Sequence, residues 1–169
     1  LGYAQFPGGR STTDGIVLDS KYVGITSNTG ASYPYNLGRT ATHEVGHYFN
    51  LRHIWGDATC GTDFVADTPA HNTANYGVPT YPHLSTCTGT PIEMTMNYMD
   101  YTDDACMYMF TAGQATRMLA WYNSIKTQLS TTALSNETFL ENQFSIYPNP
   151  NKGEFYVKSN SITGEIFVS

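Results

Sequence analysis

His43-Glu44-Val45-Gly46-His47-Tyr48-Phe49-Asn50-Leu51-Arg52-His53 is the stretch on which the reading of this chain turns. His43 and His47 are spaced one helical turn apart, so on a helix both imidazoles project from one face. Two imidazoles so placed grip one zinc ion, and Glu44 projects beside them as a candidate general base. His53 lies too far beyond His47 to share that face unless the helix ends between them. The spacing therefore predicts a turn near Asn50 that brings the third imidazole back. Three protein ligands with one open position are the donor set of a catalytic zinc site.

The pattern HExxHxxGxxH followed by a Met-turn is the metzincin signature. This chain resembles it with one departure, Asn50 at the Gly position. That position needs a left-handed backbone, and Asn is the next most tolerant residue there, at about 1 kcal/mol of strain. Downstream, Asn97-Tyr98-Met99-Asp100-Tyr101 is similar to the Met-turn. The resemblance implies that Met99 forms an apolar floor under the histidines. It also implies that the Tyr101 hydroxyl reaches the metal or stabilises the oxyanion. Met94, Met96, Met107 and Met109 read as flexible core filler.

Three further blocks narrow the resemblance: His53 to Asp57, Asp67-Thr68-Pro69, and the run from Asn97 to Cys106. Together they look like the pappalysin (cytophagalysin) family of metzincins, over residues 1 to about 125. The family implies an α+β metzincin-type catalytic domain and a secreted zinc endopeptidase, often with structural calcium. Asp63, Asp67 and Thr68 offer hard oxygen ligands suited to calcium, and serve equally well as ordinary loop acids and turn formers. In the family the first segment resembles the edge strand above the cleft. Tyr3, Ala4 and Gln5 would then pair with an extended peptide substrate. Asp103 or Asp104, just past the Met-turn, would line the pocket for the residue after the cleaved bond and favour Arg or Lys.

With 169 residues the chain holds one domain and part of another. Charged residues are scarce at 13% while Tyr and Gly are abundant, which suits a secreted, loop-rich surface. A net charge of −6 argues against nucleic acid or an anionic membrane as partner, and no apolar run is long enough for a membrane span. The chain opens without an initiator Met or a signal peptide and reads as a fragment or processed form whose N-terminal part is missing. Three cysteines leave one thiol over. Cys60 and Cys87 bracket the loop after the zinc motif and are the favoured pair. Cys87 with Cys106 is the open alternative.

Residues 14 to 26 read as strand and loop, and Asn28 to Pro34 as a polar loop. The motif helix is expected from Leu37 to Asn50 with Asn36 as N-cap, and with Val45, Tyr48 and Phe49 facing the core. Trp55 to Pro91 is turn-rich, the kind of long loop that is functional or held by ions and disulfides. His71 and His83 within it read as exposed. Thr111-Ala112-Gly113-Gln114 is a capping box opening a helix to about Leu129, with Met118, Tyr122, Ile125 and Leu129 on one apolar face.

The organisation expected is a catalytic domain over 1–129, a polar linker over 130–143, and a second module over 144–169. In that module Phe144 to Pro150 and Gly153 to Lys158 alternate apolar and polar residues around a Pro-Asn-Pro turn, and Ile166 to Val168 begins another strand. The string resembles the start of the C-terminal sorting domain of type IX secretion cargo, an antiparallel β-sandwich, here truncated. The type IX machinery becomes an expected partner besides protein or peptide substrates, and the location secreted or cell-surface.

The function expected is peptide-bond hydrolysis by a metal-activated water with Glu44 as base. Two rival readings are a non-catalytic zinc-containing peptide-binding domain, and an exported structural or adhesive surface protein. Zinc without turnover marks the first; no zinc marks the second.

Overall fold

A computed structural model describes residues 1–24, 33–131, 144–147 and 156–159. Contacts divide the chain into two units, Leu1–Lys126 and Thr127–Ser169.

The first unit opens with β1 (Gly2–Ala4), paired antiparallel with β2 (Ile16–Leu18) in the register Gly2–Leu18, Tyr3–Val17, Ala4–Ile16. Two short 3-10 turns, Ser11–Thr13 and Ser20–Tyr22, flank β2. Helix α1 (Arg39–Tyr48) carries the first two motif histidines and packs against both strands. It starts two residues later than the sequence predicts, because Gly38 is its N-cap in a left-handed conformation with φ 78°. Asn36 is therefore not the cap. The cap is supplied from far along the chain: Asp104 Oδ2 accepts the backbone N–H of Leu37 at 2.7 Å and of Arg39 at 3.2 Å.

The C-terminal end of α1 follows the expectation. Asn50 has φ 74°, its N–H donates to the His47 carbonyl at 2.9 Å, and the Leu51 N–H donates to the Gly46 carbonyl at 2.9 Å. This pair of bonds is the Schellman ending, with Asn where Gly is usual. It turns the chain so that Leu51 plunges into the core, fully buried, and His53 comes back toward the helix. The face that α1 buries is Thr40, His43, Glu44, Gly46 and His47. Val45, Tyr48 and Phe49 are only half-buried, so the expected core face is corrected. The helix turns its chemistry inward and its apolar residues to the boundary.

From Trp55 to Pro91 the chain forms turns without helix or strand, held by the Cys60–Cys87 disulfide. That bond closes the Cys87–Cys106 alternative and leaves Cys106 a free, half-buried thiol. Helix α2 (Ala112–Thr131) begins at the capping box as read. Thr111 N–H donates to Gln114 Oε1 at 2.9 Å and Gln114 N–H to Thr111 Oγ1 at 3.1 Å. Its predicted apolar face is only partly used: Ile125 is buried and Met118 packs on the core, while Tyr122 and Leu129 are exposed.

The core gathers where the end of α1, the Met-turn and α2 meet. Leu51, Ile54, Trp55 and Met99 form it, with Met94, Phe110 and Met118 packed around them. His71 is a correction. It is fully buried rather than exposed, because the Met94 N–H donates to its Nε2 at 3.0 Å and draws the loop over it. His83 is partly exposed, with its Nδ1 3.1 Å from Glu93 Oε2.

In the second unit β3 (Phe144–Tyr147) pairs antiparallel with β4 (Tyr156–Ser159), matching Ile146 to Val157. The Pro-Asn-Pro turn and the strand expected at Ile166 to Val168 lie outside the described residues.

Candidate metal centre and substrate cleft

His43 and His47 project from α1, and the Schellman turn returns His53 to them. Their ligand atoms all lie within 4.8 Å of one another, and among the described residues this is the one group of its kind able to hold a metal ion. Each ring is oriented through its other nitrogen. His43 Nδ1 lies 2.6 Å from the Tyr98 carbonyl, His47 Nδ1 lies 2.8 Å from the Leu51 carbonyl, and His53 Nδ1 meets Asp57 Oδ1. A carbonyl accepts only, so both α1 rings carry their proton on Nδ1 and leave the Nε2 lone pair free. His47 Nε2 and His53 Nε2 stand 3.1 Å apart.

Electrostatics favours the neutral donors. Burial and the neighbouring His47 push His43 down to about 3. Burial likewise pushes His47 down to about 4. Both are neutral at pH 7, the state a metal requires. Three converging imidazoles fit a zinc ion, and the cleft runs beside them.

Met99 is fully buried beneath this set. A Cβ built on Gly46 would fall 2.4 Å from the Met99 sulfur, so the sulfur occupies the notch that this glycine leaves in α1. The turn itself is braced by Asn97. Its Oδ1 accepts the Met99 N–H at 2.9 Å, and its side-chain amide exchanges two hydrogen bonds with Gln114 of α2, at 2.7 and 3.1 Å. The Met99 carbonyl accepts the Ile54 N–H at 3.0 Å, tying the turn to the segment carrying His53.

A cleft of about 420 Å³ opens beside the three imidazoles. Glu44 lines it, and burial raises its carboxyl above the usual range. The Tyr101 hydroxyl lies in it, 2.9 Å from His53 Nε2, the lone pair a metal would take. Burial, with Asp57 and Glu44 nearby, raises the Tyr101 hydroxyl above its ordinary value.

Of the expected substrate-binding set, Tyr3, Ala4 and Asp104 line the cleft, whereas Gln5 and Asp103 do not. Gln5 is tied to its own loop, its Nε2 donating to the Arg10 carbonyl and its Oε1 accepting from Thr13. Asp103 is nearly buried, and its N–H donates to the Gly77 carbonyl at 2.9 Å. The calcium set is not brought together either. Asp67 turns both carboxylate oxygens to the start of α2, accepting from Thr111 Oγ1 at 2.7 Å and Gly113 N–H at 2.8 Å. Asp63 and Thr68 do meet: Asp63 Oδ1 accepts the Thr68 hydroxyl at 2.8 Å, while Asp63 Oδ2 is buried without a partner.

Sequence reasoning missed Phe6, whose ring lies 5.0 Å from that of His47, and missed Arg39, Tyr35 and Tyr76 in the cleft wall. It also missed the bond from Asp57 to His53, which the i, i+4 spacing of the two residues could have signalled.

Residues 2–123 match the family model described as pregnancy-associated plasma protein-A. The chain belongs to that peptidase family. An extracellular metalloprotease of Verticillium alfalfae is 46% identical over 128 residues, which cover 73% of this chain and 46% of that protein. One of Sordaria macrospora is 43% identical over 136 residues, covering 77% and 46%. Among solved structures, mature mirolysin of Tannerella forsythia in complex with a cleaved peptide is 50% identical, with a TM-score of 0.66 over 72% of this chain and 47% of that one. Mirolysin in complex with a small compound gives a TM-score of 0.67 over 73% and 48%, also at 50% identity. The chain thus spans about half the length of the relatives it matches.

Proposed function

We propose that this chain is the catalytic part of a secreted, zinc-dependent endopeptidase. The observation that carries the reading is the convergence of three Nε2 lone pairs, two with their Nδ1 proton fixed by a backbone carbonyl, on a cleft that Glu44 also lines. The names of the relatives support it, as extracellular metalloproteases, and so does a cleaved peptide bound to mirolysin.

His43, His47 and His53 would hold zinc, which when bound would supply an acidified water and a polarised scissile carbonyl. The residues of the chain do the rest. Glu44 takes a proton from the attacking water as its oxygen bonds to the carbonyl carbon, and hands it to the amine nitrogen as the C–N bond breaks. A carboxyl raised by burial is suited to both halves of that transfer. Tyr101 donates to the oxygen on which charge develops, a contribution of about 2–4 kcal/mol for a well-placed donor. The substrate lies extended along β1 past Tyr3 and Ala4. Asp104 in the cleft wall supports a preference for a basic residue after the cleaved bond.

Cleavage of a mixed, quenched peptide library tests this, with Glu44→Ala alongside. Turnover is expected in the zinc-loaded protein and at least about 100-fold less in the variant, with zinc still bound to both. Zinc in both and turnover in neither would favour the peptide-binding reading. For the C-terminal segment we propose export by the type IX route, supported by the Tyr147-Pro148-Asn149-Pro150 string. A reporter carrying residues 144 onward should reach the medium of a type IX-competent host, and retention inside would refute it.

A further inference from the structure

Tyr76 stands on the cleft wall with 67% of its surface exposed and its ring 6.0 Å from that of Tyr101. An exposed ring is ordinary; the hold on its backbone is not. On one side the Asn75 N–H donates to Asp100 Oδ1 at 2.8 Å, and the Asn75 amide donates to Asp100 Oδ2 at 2.9 Å and to Glu93 Oε2 at 2.8 Å. On the other, the Gly77 carbonyl accepts the Asp103 N–H at 2.9 Å, and Gly77 takes the left-handed φ of 67° that closes the tip. Asp100 and Glu93 are themselves buried, with buried His71 beside them, its Nδ1 without a hydrogen-bond partner. Sinking two carboxylates into the interior is costly, and a wholly apolar cluster would hold the core as well. What this network adds is a fixed Asn75–Gly77 tip joined to the Met-turn.

We propose that Tyr76 is a substrate-binding, specificity-determining residue that packs against a bulky apolar or aromatic side chain of the bound peptide, with Asn75 as the residue that positions it. The inference rests on the peptidase reading and names a feature of its substrate. Apolar contact is favoured because Leu1, Ala4, Phe6 and Met107 share the cleft. The ring also has a firm backing in Tyr101, so a second ring stacks on it at little entropic cost.

The test uses the complete zinc-loaded enzyme and a set of quenched peptides that vary one position at a time. Tyr76→Ala is expected to lose about tenfold in kcat/KM, mainly through KM, on peptides with a large apolar residue at one position. It should lose less than about twofold on peptides with Ala there. Tyr76→Phe should keep the preference, since packing rather than the hydroxyl carries it. Asn75→Ala should blunt the preference at that same position. A uniform loss across all peptides, or an unchanged preference in Tyr76→Ala, overturns the assignment and leaves the peptidase reading intact. Absence of turnover by the unaltered enzyme on every peptide removes the peptidase reading itself, and this inference with it.

Discussion

Gly46 shows how much one missing side chain does at this site. A glycine in mid-helix costs about 1 kcal/mol against alanine, so alanine there should stabilise α1 in isolation. The tertiary contact reverses the sign. An added Cβ would lie 2.4 Å from the Met99 sulfur and 3.5 Å from a Leu51 methyl, both fully buried. The Leu51 methyl is in ordinary contact, but the sulfur cannot retreat without opening the core, and overpacking of this kind costs about 1–3 kcal/mol. Gly46→Ala is therefore expected to lower the melting temperature and to weaken zinc binding, because His43 and His47 flank the displaced contact. A calorimetric melt and a competitive chelator titration check this; a more stable variant with unchanged zinc affinity would refute it.

At the scale of elements, the loop from Trp55 to Pro91 depends on its cross-links. The disulfide at Cys60–Cys87 is one, and calcium bound at Asp63 and Thr68 without Asp67 would be another. Asp63 is almost wholly buried, its Oδ1 is satisfied by Thr68 and Val65, and its Oδ2 has no partner. Burial raises its carboxyl above the usual range, the mark of a charge short of compensation. Calcium takes such hard oxygens. Added calcium should raise the melting temperature by a few degrees through mass action, and Asp63→Asn should abolish the response. Equal responses in the two proteins would refute it. Much of the site was legible at this scale. The His43–His47 spacing dictates a shared helix face, Asn50 is one of the few residues that can end the helix left-handed, and Thr111 with Gln114 carries its cap in four residues. The start of α1 was not legible, since its cap comes from Asp104. Local sequence cannot display a partner more than sixty residues away. His71 was misread for the same reason: its burial is decided by Met94 and Glu93.

Across the whole molecule, protonation couples these parts. His43, His47 and His71 are all held below their ordinary value by burial, at about 3, 4 and 4. Each is neutral in the fold and takes up a proton on unfolding once the pH drops below about 6.5, so each contributes stability that is lost on acidification. Asp100 has the opposite sign. Burial lifts it to about 6, so the fold binds its proton before the unfolded chain does and gains as the pH falls through that value. The metal-free protein should therefore lose stability as the pH falls from 7 to 5, because three histidines outweigh the one carboxyl, with Asp100 offsetting part of the loss throughout. Thermal melts at half-unit intervals check this, and stability that rises from pH 7 to 6 would refute it.

Asp104 at the start of α1 and Arg117, whose Nε donates to the Asn50 carbonyl at 2.7 Å at its end, clasp the same ten-residue helix from the later half of the chain. Translation runs the other way. All three histidines leave the ribosome long before the residues that frame them. While α2 is still in the exit tunnel the Asn50 carbonyl lacks its Arg117 donor, so a half-made chain carries its ligands on a helix not yet braced at its end.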